Sequence, residues 1–337
     1  MNEHLVFLDF GSIEIYWFGF FAGCAVLAAS IIFCRLRKMQ GEEYSDALDV
    51  ILYALPAAFL FARVAYCWFR QASFSRGLKD FFCLTDGGYS LHGALVGLLF
   101  VILLRARFSG KSAVKMLDAS VPALSFAIAI GRFAGITGFE GTGFEVSSHG
   151  SVPMPFLLWS DTDQAWVVWV GFFQGLIALL LTGMTLWLFY KKYQLHTNGL
   201  NEGCVTLCFM LTYGLSQALL ESMRSDSLFM ITLGFVRIDQ IVSIVMAVVA
   251  IVLISVDYCK VCGLSSSIVM LWLICAMALT LAVVCEFSLN ATYLGLLYLF
   301  MFVSLTTMWI IAAWMFNMTV KERLKTKSSV KNRCKQH

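Results

Sequence analysis

Residues 238–256 read IDQIVSIVMAVVAIVLISV, and this stretch decides the class of the fold. Beyond Asp239 it carries no ionisable side chain. Its length suits a helix crossing a hydrocarbon layer, which takes about 20 residues at ~1.5 Å each. A helix is required because, without water, every backbone N–H and C=O must be paired inside the segment. Working outward, segments of the same character cover 13–33, 48–69, 89–104, 114–130, 165–190 and 205–220 before it, and 267–287 and 292–316 after it. The expectation is an all-α fold: a polytopic transmembrane helical bundle of about nine spans. The third, fourth and sixth segments are short or carry polar groups, so an interior cavity is expected there.

Composition agrees. Of the 337 residues 60% are hydrophobic and 13% charged, with a mean hydropathy of +0.80, too little polar material to cover a water-facing surface. A net charge of +3, with its basic residues in loops and the C-terminal stretch, excludes a nucleic-acid surface. The 11 cysteines are scattered through apolar runs, where a thiol acts as a small hydrophobe. Cys259 and Cys262 form a lone C-x-x-C without a second pair, which favours a structural reading over metal or redox chemistry. No metal or nucleotide motif stands out, so no cofactor is expected. Residues 1–10 contain no Lys or Arg, so the first span is expected to be retained and not cleaved as a signal peptide.

Arg35, Arg37, Lys38, Arg105, Arg107, Lys111, Lys115, Lys191, Lys192, Lys260 and the basic stretch from Lys321 to Lys335 fall in alternate connections. Short cytoplasmic loops carry such an excess, which puts the N-terminus outside and the C-terminus in the cytoplasm. The opposite side and the spans carry only Arg63, Arg70, Arg76, Lys79, Arg132, Arg224 and Arg237. Residues 133–164 contain no Lys or Arg and are rich in Gly and Ser, as expected of an extracytoplasmic loop.

Ionisable groups at membrane depth are costly and mark interior cavities or function. They gather toward the outer end: Arg63 in FARVAY, His92 in GGYSLHGA, Arg132 and Glu140 in GRFAGITGFEGTG, and Glu221 with Arg224 in YGLSQALLESMR. Glu221 and Arg224 are three apart and share a helix face. Each residue has a plain alternative: an interfacial ion pair for Glu221 and Arg224, a structural imidazole for His92, and for Arg63 a guanidinium tying helices through carbonyls. Beyond Arg132 the glycine-rich turn supplies N–H donors that, with an arginine fork, suit a phosphate. Glycines also serve close helix contact, so this turn alone is ambiguous.

Taken in order, these blocks resemble the prolipoprotein diacylglyceryl transferase family. The similarity runs through YWFGFFAG at Tyr16, FARVAY, DGGYSLHGALVG, GRFAGITGFEGTG, YGLSQALLESMR and RIDQIVSIVM with Gln240, covering about residues 13–254. It departs from the family pattern at Gly135 and Gly138, where asparagines usually stand. Gln217 replaces a usual arginine, Phe18 a usual tyrosine, and 164–175 aligns only loosely. The resemblance implies a bacterial plasma-membrane enzyme moving the diacylglyceryl group of phosphatidylglycerol onto the lipobox cysteine of a prolipoprotein signal peptide, releasing glycerol phosphate. It implies His92, Arg132 and Glu140 as catalytic, and Arg132, Arg63, Tyr213, Gln217, Glu221, Arg224 and Arg237 as the phosphatidylglycerol site. It also implies a transferase-like domain over 1–258, a two-span extension over 259–316 and a basic cytoplasmic tail over 317–337. The substitutions leave open a relative that binds lipid or peptide without chemistry. A channel is disfavoured because most spans are apolar all round.

Overall fold

The computed structural model describes residues 6–9, 11, 14–69, 88–146, 156–160, 164–197, 199–226, 237–289 and 293–333. Among them are nine helices long and apolar enough to cross a membrane. These are α1 (Trp17–Met39), α2 (Tyr44–Phe69), α3 (Leu91–Ser109), α4 (Ala113–Ala134), α5 (Val170–Tyr193), α6 (Cys204–Ser222), α7 (Ile238–Cys262), α8 (Ser266–Phe287) and α9 (Leu294–Arg333). Polytopic helical architecture is therefore observed as the apolar segments predict. Residues 70–87, 147–155 and 292, which the sequence reading places in outer loops or at the ninth start, lie outside the described residues, as does Ile13.

Three starts differ from expectation by four or five residues: α2 begins early, at Tyr44, and two helices begin late, behind a strand. The first helix begins at Trp17 because Glu14–Tyr16 (β2) pairs antiparallel with Val6–Asp9 (β1). The fifth begins at Val170 because Ala165–Trp169 (β5) is the centre of a three-stranded antiparallel sheet between Thr142–Val146 (β3) and Leu157–Ser160 (β4). Its apolar β-branched and aromatic run suits a strand as well as a span, and hydropathy cannot tell them apart. At the other end α9 continues unbroken past residue 317, where a separate tail was expected, to Arg333.

Two helix pairs position the site. α3 lies against α2 so closely that a Cβ on Gly93 would sit 2.6 Å from the Phe61 carbonyl, and one on Gly97 2.7 Å from that of Ala57. Glycine at this four-residue spacing lets backbones touch. The Ser90 hydroxyl caps α3 by accepting from Gly93 N at 3.3 Å, which fixes the start one turn ahead of the contact. α4 packs on α1 and α5 around Ala119, Ile128, Ala129 and Ala178, while α6 packs on α7.

At the opposite end of the bundle Asp118 of α4 is fully buried. It accepts from the Tyr193 hydroxyl (2.9 Å), Gly203 N (2.7 Å), Thr206 N (2.9 Å) and Thr206 Oγ1 (2.7 Å). A carboxylate that gathers the free N–H groups at the start of α6 also favours the helix dipole there.

Candidate active site

The starts of α3, α5 and α7 meet the ends of α4 and α6 at one end of the bundle, and His92, Arg132, Glu140, Glu221 and Arg224 gather there. Arg132 is in the last turn of α4, where a cation complements the C-terminal carbonyls. Its Nη2 lies 3.5 Å from Glu221 Oε1. Glu221, on α6 and fully buried, also accepts from Arg224 Nη1 at 2.8 and 3.1 Å. From α5 Gln174 Nε2 donates to Glu221 Oε1 at 2.9 Å and to Gln217 Oε1 at 2.8 Å. Gln217 and Glu221 are four apart, so one face of α6 presents both. Beside them the Tyr213 hydroxyl is fully buried near Arg132 without a well-formed hydrogen bond.

Beyond the end of α6, Arg224 Nε donates to Asp226 Oδ1 at 2.9 Å, and Asp226 Oδ2 accepts from Gly141 N at 2.8 Å. Burial works against the Arg224 charge, but Glu221 and Asp226 outweigh it and raise its pKa further. The Gly135–Gly138 turn is a short 3-10 helix, closed by Glu140 N donating to the Gly135 carbonyl at 2.9 Å. Gly141 holds φ +75° and meets Gly171 so closely that a Cβ on it would stand 2.9 Å from the Gly171 backbone. This seats the Glu140 loop on the start of α5. Glu140 stands at the exposed rim. Crowding by surrounding protein and then Asp226 push its carboxyl pKa up, against the pull of Arg132 and Arg224.

His92 forms the neighbouring half of the site. It is the second residue of α3 and is buried. Nδ1 lies 2.8 Å from Asp239 Oδ1 and Nε2 3.1 Å from Ser243 Oγ, both on α7. Ser243 Oγ in turn donates to the Asp239 carbonyl at 2.7 Å. With that bond made, Nε2–H can donate to Ser243; with the hydroxyl turned to the ring, Nε2 accepts. The imidazole can thus hold or release a proton on one side while a carboxylate anchors the other. Asp239, Ser243, Gln174 and Asp226 are absent from the sequence-derived set. Asp239 and Asp226 are acids near helix ends, the signal that picked out Glu221, whereas Gln174 and Ser243 are uncharged and leave none.

His92 and Arg132 do not bond to one another; Asp239 connects the halves electrostatically, since it feels Arg132 and Arg224 as well as His92. A cavity of about 360 Å³ opens beside the site, lined by Thr142, Gly143, Phe144, Glu145, Ser160, Val167 and Ser225, and neither His92 nor Arg132 lines it. Gln240 ties α7 to α6 by donating to the Ala218 carbonyl at 3.0 Å. Arg237 donates to Glu286 Oε1 at 2.9 Å. Arg63 is buried on α2, donates to the Gly88 carbonyl at 3.0 Å and lies 5.5 Å from the Tyr89 ring centre. These are the contacts of a helix-tying arginine.

A sequence model described as prolipoprotein diacylglyceryl transferase matches residues 5–256, from β1 through most of α7. The chain belongs to the prolipoprotein diacylglyceryl transferase family. Similar proteins include phosphatidylglycerol–prolipoprotein diacylglyceryl transferases of Finegoldia magna (26% identical over 252 residues, 74% of this chain and 94% of that one) and Geobacillus kaustophilus (29% over 262 residues, 74% and 90%). The transferase of Limosilactobacillus reuteri is 27% identical over 252 residues, 72% of this chain and 87% of its own. All of the polar cluster except Glu286 lies within the family match. At the two glycines that depart from the family pattern, a Cβ would meet Glu140: 3.3 Å from its carbonyl at Gly135 and 3.8 Å from Cγ at Gly138.

Proposed function

We propose that the protein transfers the diacylglyceryl group of phosphatidylglycerol to the lipobox cysteine thiol of prolipoproteins, releasing glycerol phosphate. The observation that carries this reading is the meeting of Arg132, Arg224 and Glu221 with the His92–Asp239 pair at one end of the bundle. The acceptor must be a thiolate. His92 takes the thiol proton at Nε2, with Asp239 holding Nδ1–H and stabilising the imidazolium. The thiolate sulfur forms a bond to the glyceryl carbon, the carbon–oxygen bond to phosphate breaks, and its electron pair leaves on glycerol phosphate. Arg132 and Arg224 stabilise the charge on the departing phosphate, held in place by Glu221. Tyr213 and Gln217 are positioned to hydrogen-bond the head group, and Glu140 holds the glycine loop against Arg132.

The basic-residue asymmetry supports a bacterial plasma-membrane orientation with the site at the outer end and the C-terminus in the cytoplasm. The end of the family match at residue 256 supports a boundary near residue 258 between a transferase-like unit and the two-span extension, with the tail from 317 continuing the last helix. Purified protein in phosphatidylglycerol bilayers with a lipobox peptide should release glycerol phosphate, and Arg132→Ala should abolish release while the protein stays folded. Unchanged release by R132A removes the mechanism.

One observation favours a second reading, a relative that binds lipid or peptide without chemistry. The arginines at the site already face carboxylates: Arg132 and Arg224 meet Glu221, Arg224 also meets Asp226, and Arg237 meets Glu286. A phosphate must compete with these. Complementation of a bacterial strain depleted of its own transferase separates the two, since only an enzyme restores growth.

A further inference from the structure

Helices α8 and α9 lie beyond the family match, yet they are joined to α6 and α7 by one apolar cluster that includes Leu215, Ala250, Ala282 and Ala312. Polar contacts across this junction fall at three heights. Near the end opposite the site, Arg323 of α9 pairs with Asp257 of α7. Midway, Trp309 Nε1 donates to Thr212 Oγ1 at 3.0 Å. At the site end, the Tyr298 hydroxyl donates to the Ser222 carbonyl at 3.0 Å, and Arg237 Nη1 donates to Glu286 Oε1 at 2.9 Å.

The contacts at the site end land beside the polar cluster. Ser222 follows Glu221 in sequence, and Arg237 immediately precedes α7, two residues ahead of Asp239. A second Arg237 nitrogen, Nη2, reaches the Arg224 carbonyl at 3.4 Å. Arg237 therefore stands between the end of α6, which carries the Glu221 network, and the start of α7, which carries the partner of His92. Its side chain is 18% exposed and that of Glu286 15%, so solvent screens the pair weakly. Removing the carboxylate breaks the ion pair that fixes this guanidinium to the C-terminal extension. Its bond to the Arg224 carbonyl makes the same guanidinium a tie between the end of α6 and the start of α7.

We propose that Glu286 is a positioning residue supplied by the C-terminal extension: it holds Arg237 at the start of α7, so that Asp239 stays committed to His92 and Glu221 to Arg132 and Arg224. The part of this that concerns turnover rests on the transferase reading; the part that concerns His92 does not. Without Glu286, Arg237 is released from the extension, the start of α7 loses its tie at the site end, and the imidazole that Asp239 anchors loses its fixed orientation.

The test uses the full-length protein with E286Q, E286D and, as a control, D257N, which cuts the other ion pair between the extension and α7 at the far end. The first readout is the ring-nitrogen chemical shifts of His92, which report its protonation and its bond to Asp239. E286Q is expected to move them, E286D to move them less, and D257N to leave them in place. The second readout is transfer itself, where E286Q should lower kcat about tenfold to a hundredfold with KM for phosphatidylglycerol within about twofold, as misorientation without lost binding predicts. If E286Q and D257N leave His92 alike, whether both shifted or both unshifted, the positioning role is overturned. Should E286Q not fold, E286D against D257N decides on the same criterion. An inactive wild-type protein whose His92 shifts still respond to Glu286 overturns the transferase reading and leaves the positioning role standing.

Discussion

Asp118 and Glu221 are both carboxylates buried to zero exposure in the same bundle, and they are served in opposite ways. Asp118 takes four hydrogen bonds from neutral donors of α5 and α6, and its partners Tyr193 and Thr206 leave no buried polar atom unpaired among the described residues. Glu221 is met by two arginines and a glutamine, and the groups around it are left incomplete: Arg132 Nε, Gln174 Oε1 and Gln217 Nε2 are buried without hydrogen bonds, and Tyr213 Oη lacks a well-formed one. A buried polar atom without a partner costs on the order of 1–3 kcal/mol. The network around Asp118 is closed, and the one around Glu221, where the transferase chemistry is proposed, is open.

Substitutions at the two carboxylates should separate these roles. Glu221→Gln takes the carboxylate from Arg132 and leaves Arg224 with Asp226 alone, so it should lower unfolding free energy by about 3–5 kcal/mol and also abolish measurable transfer. Thermal unfolding in detergent and glycerol phosphate release follow the two effects. Asp118→Asn should cost about 2–4 kcal/mol of stability, since an amide cannot accept from all four donors, while turnover per folded molecule stays at the wild-type level. A loss of turnover in D118N comparable to that in E221Q would erase the contrast.

Smaller changes sharpen it within the open network. Asp239→Asn should reduce kcat about tenfold to a hundredfold by disturbing the orientation of His92, with KM for phosphatidylglycerol little changed; a rise in KM alone would place Asp239 in binding instead. Glu140 offers a pH test. Because crowding and Asp226 raise its carboxyl pKa, it takes up a proton above the usual carboxylate range as pH falls. The acid limb of the rate profile should therefore sit above that range in the wild type and disappear in Glu140→Gln, whereas an identical limb in both proteins would assign it to another group.

The spans were legible because hydrophobic length is a one-dimensional signal, and the start of α7 at Ile238 matches the stretch quoted first. The starts of α1 and α5 were not: β5 is made of residues that suit a membrane helix or a strand equally well, and β2 is only three residues joined directly to the apolar run. In the site, His92, Arg132, Glu221 and Arg224 stand out as charges in apolar surroundings. Their partners are harder to see. Asp239 contacts His92 across 147 residues of sequence, and no local spacing encodes that pairing. Gln174 bears no charge and lies in the segment that aligns loosely, so its contact with Glu221 emerges only once α5 and α6 are side by side. Arg63 shows the reverse: conspicuous in sequence, it is occupied with the Gly88 carbonyl and the Tyr89 ring.

Gly93 and Gly97 bring α3 into backbone contact with α2, and His92 precedes the first of them. A backbone interface without intervening side chains has no slack to widen, so α2 and α3 must travel as a single rigid hairpin with His92 riding on it. An acyl chain cannot slip between these two helices. Any sideways gate by which a lipid reaches the imidazole has to open along another border of that hairpin.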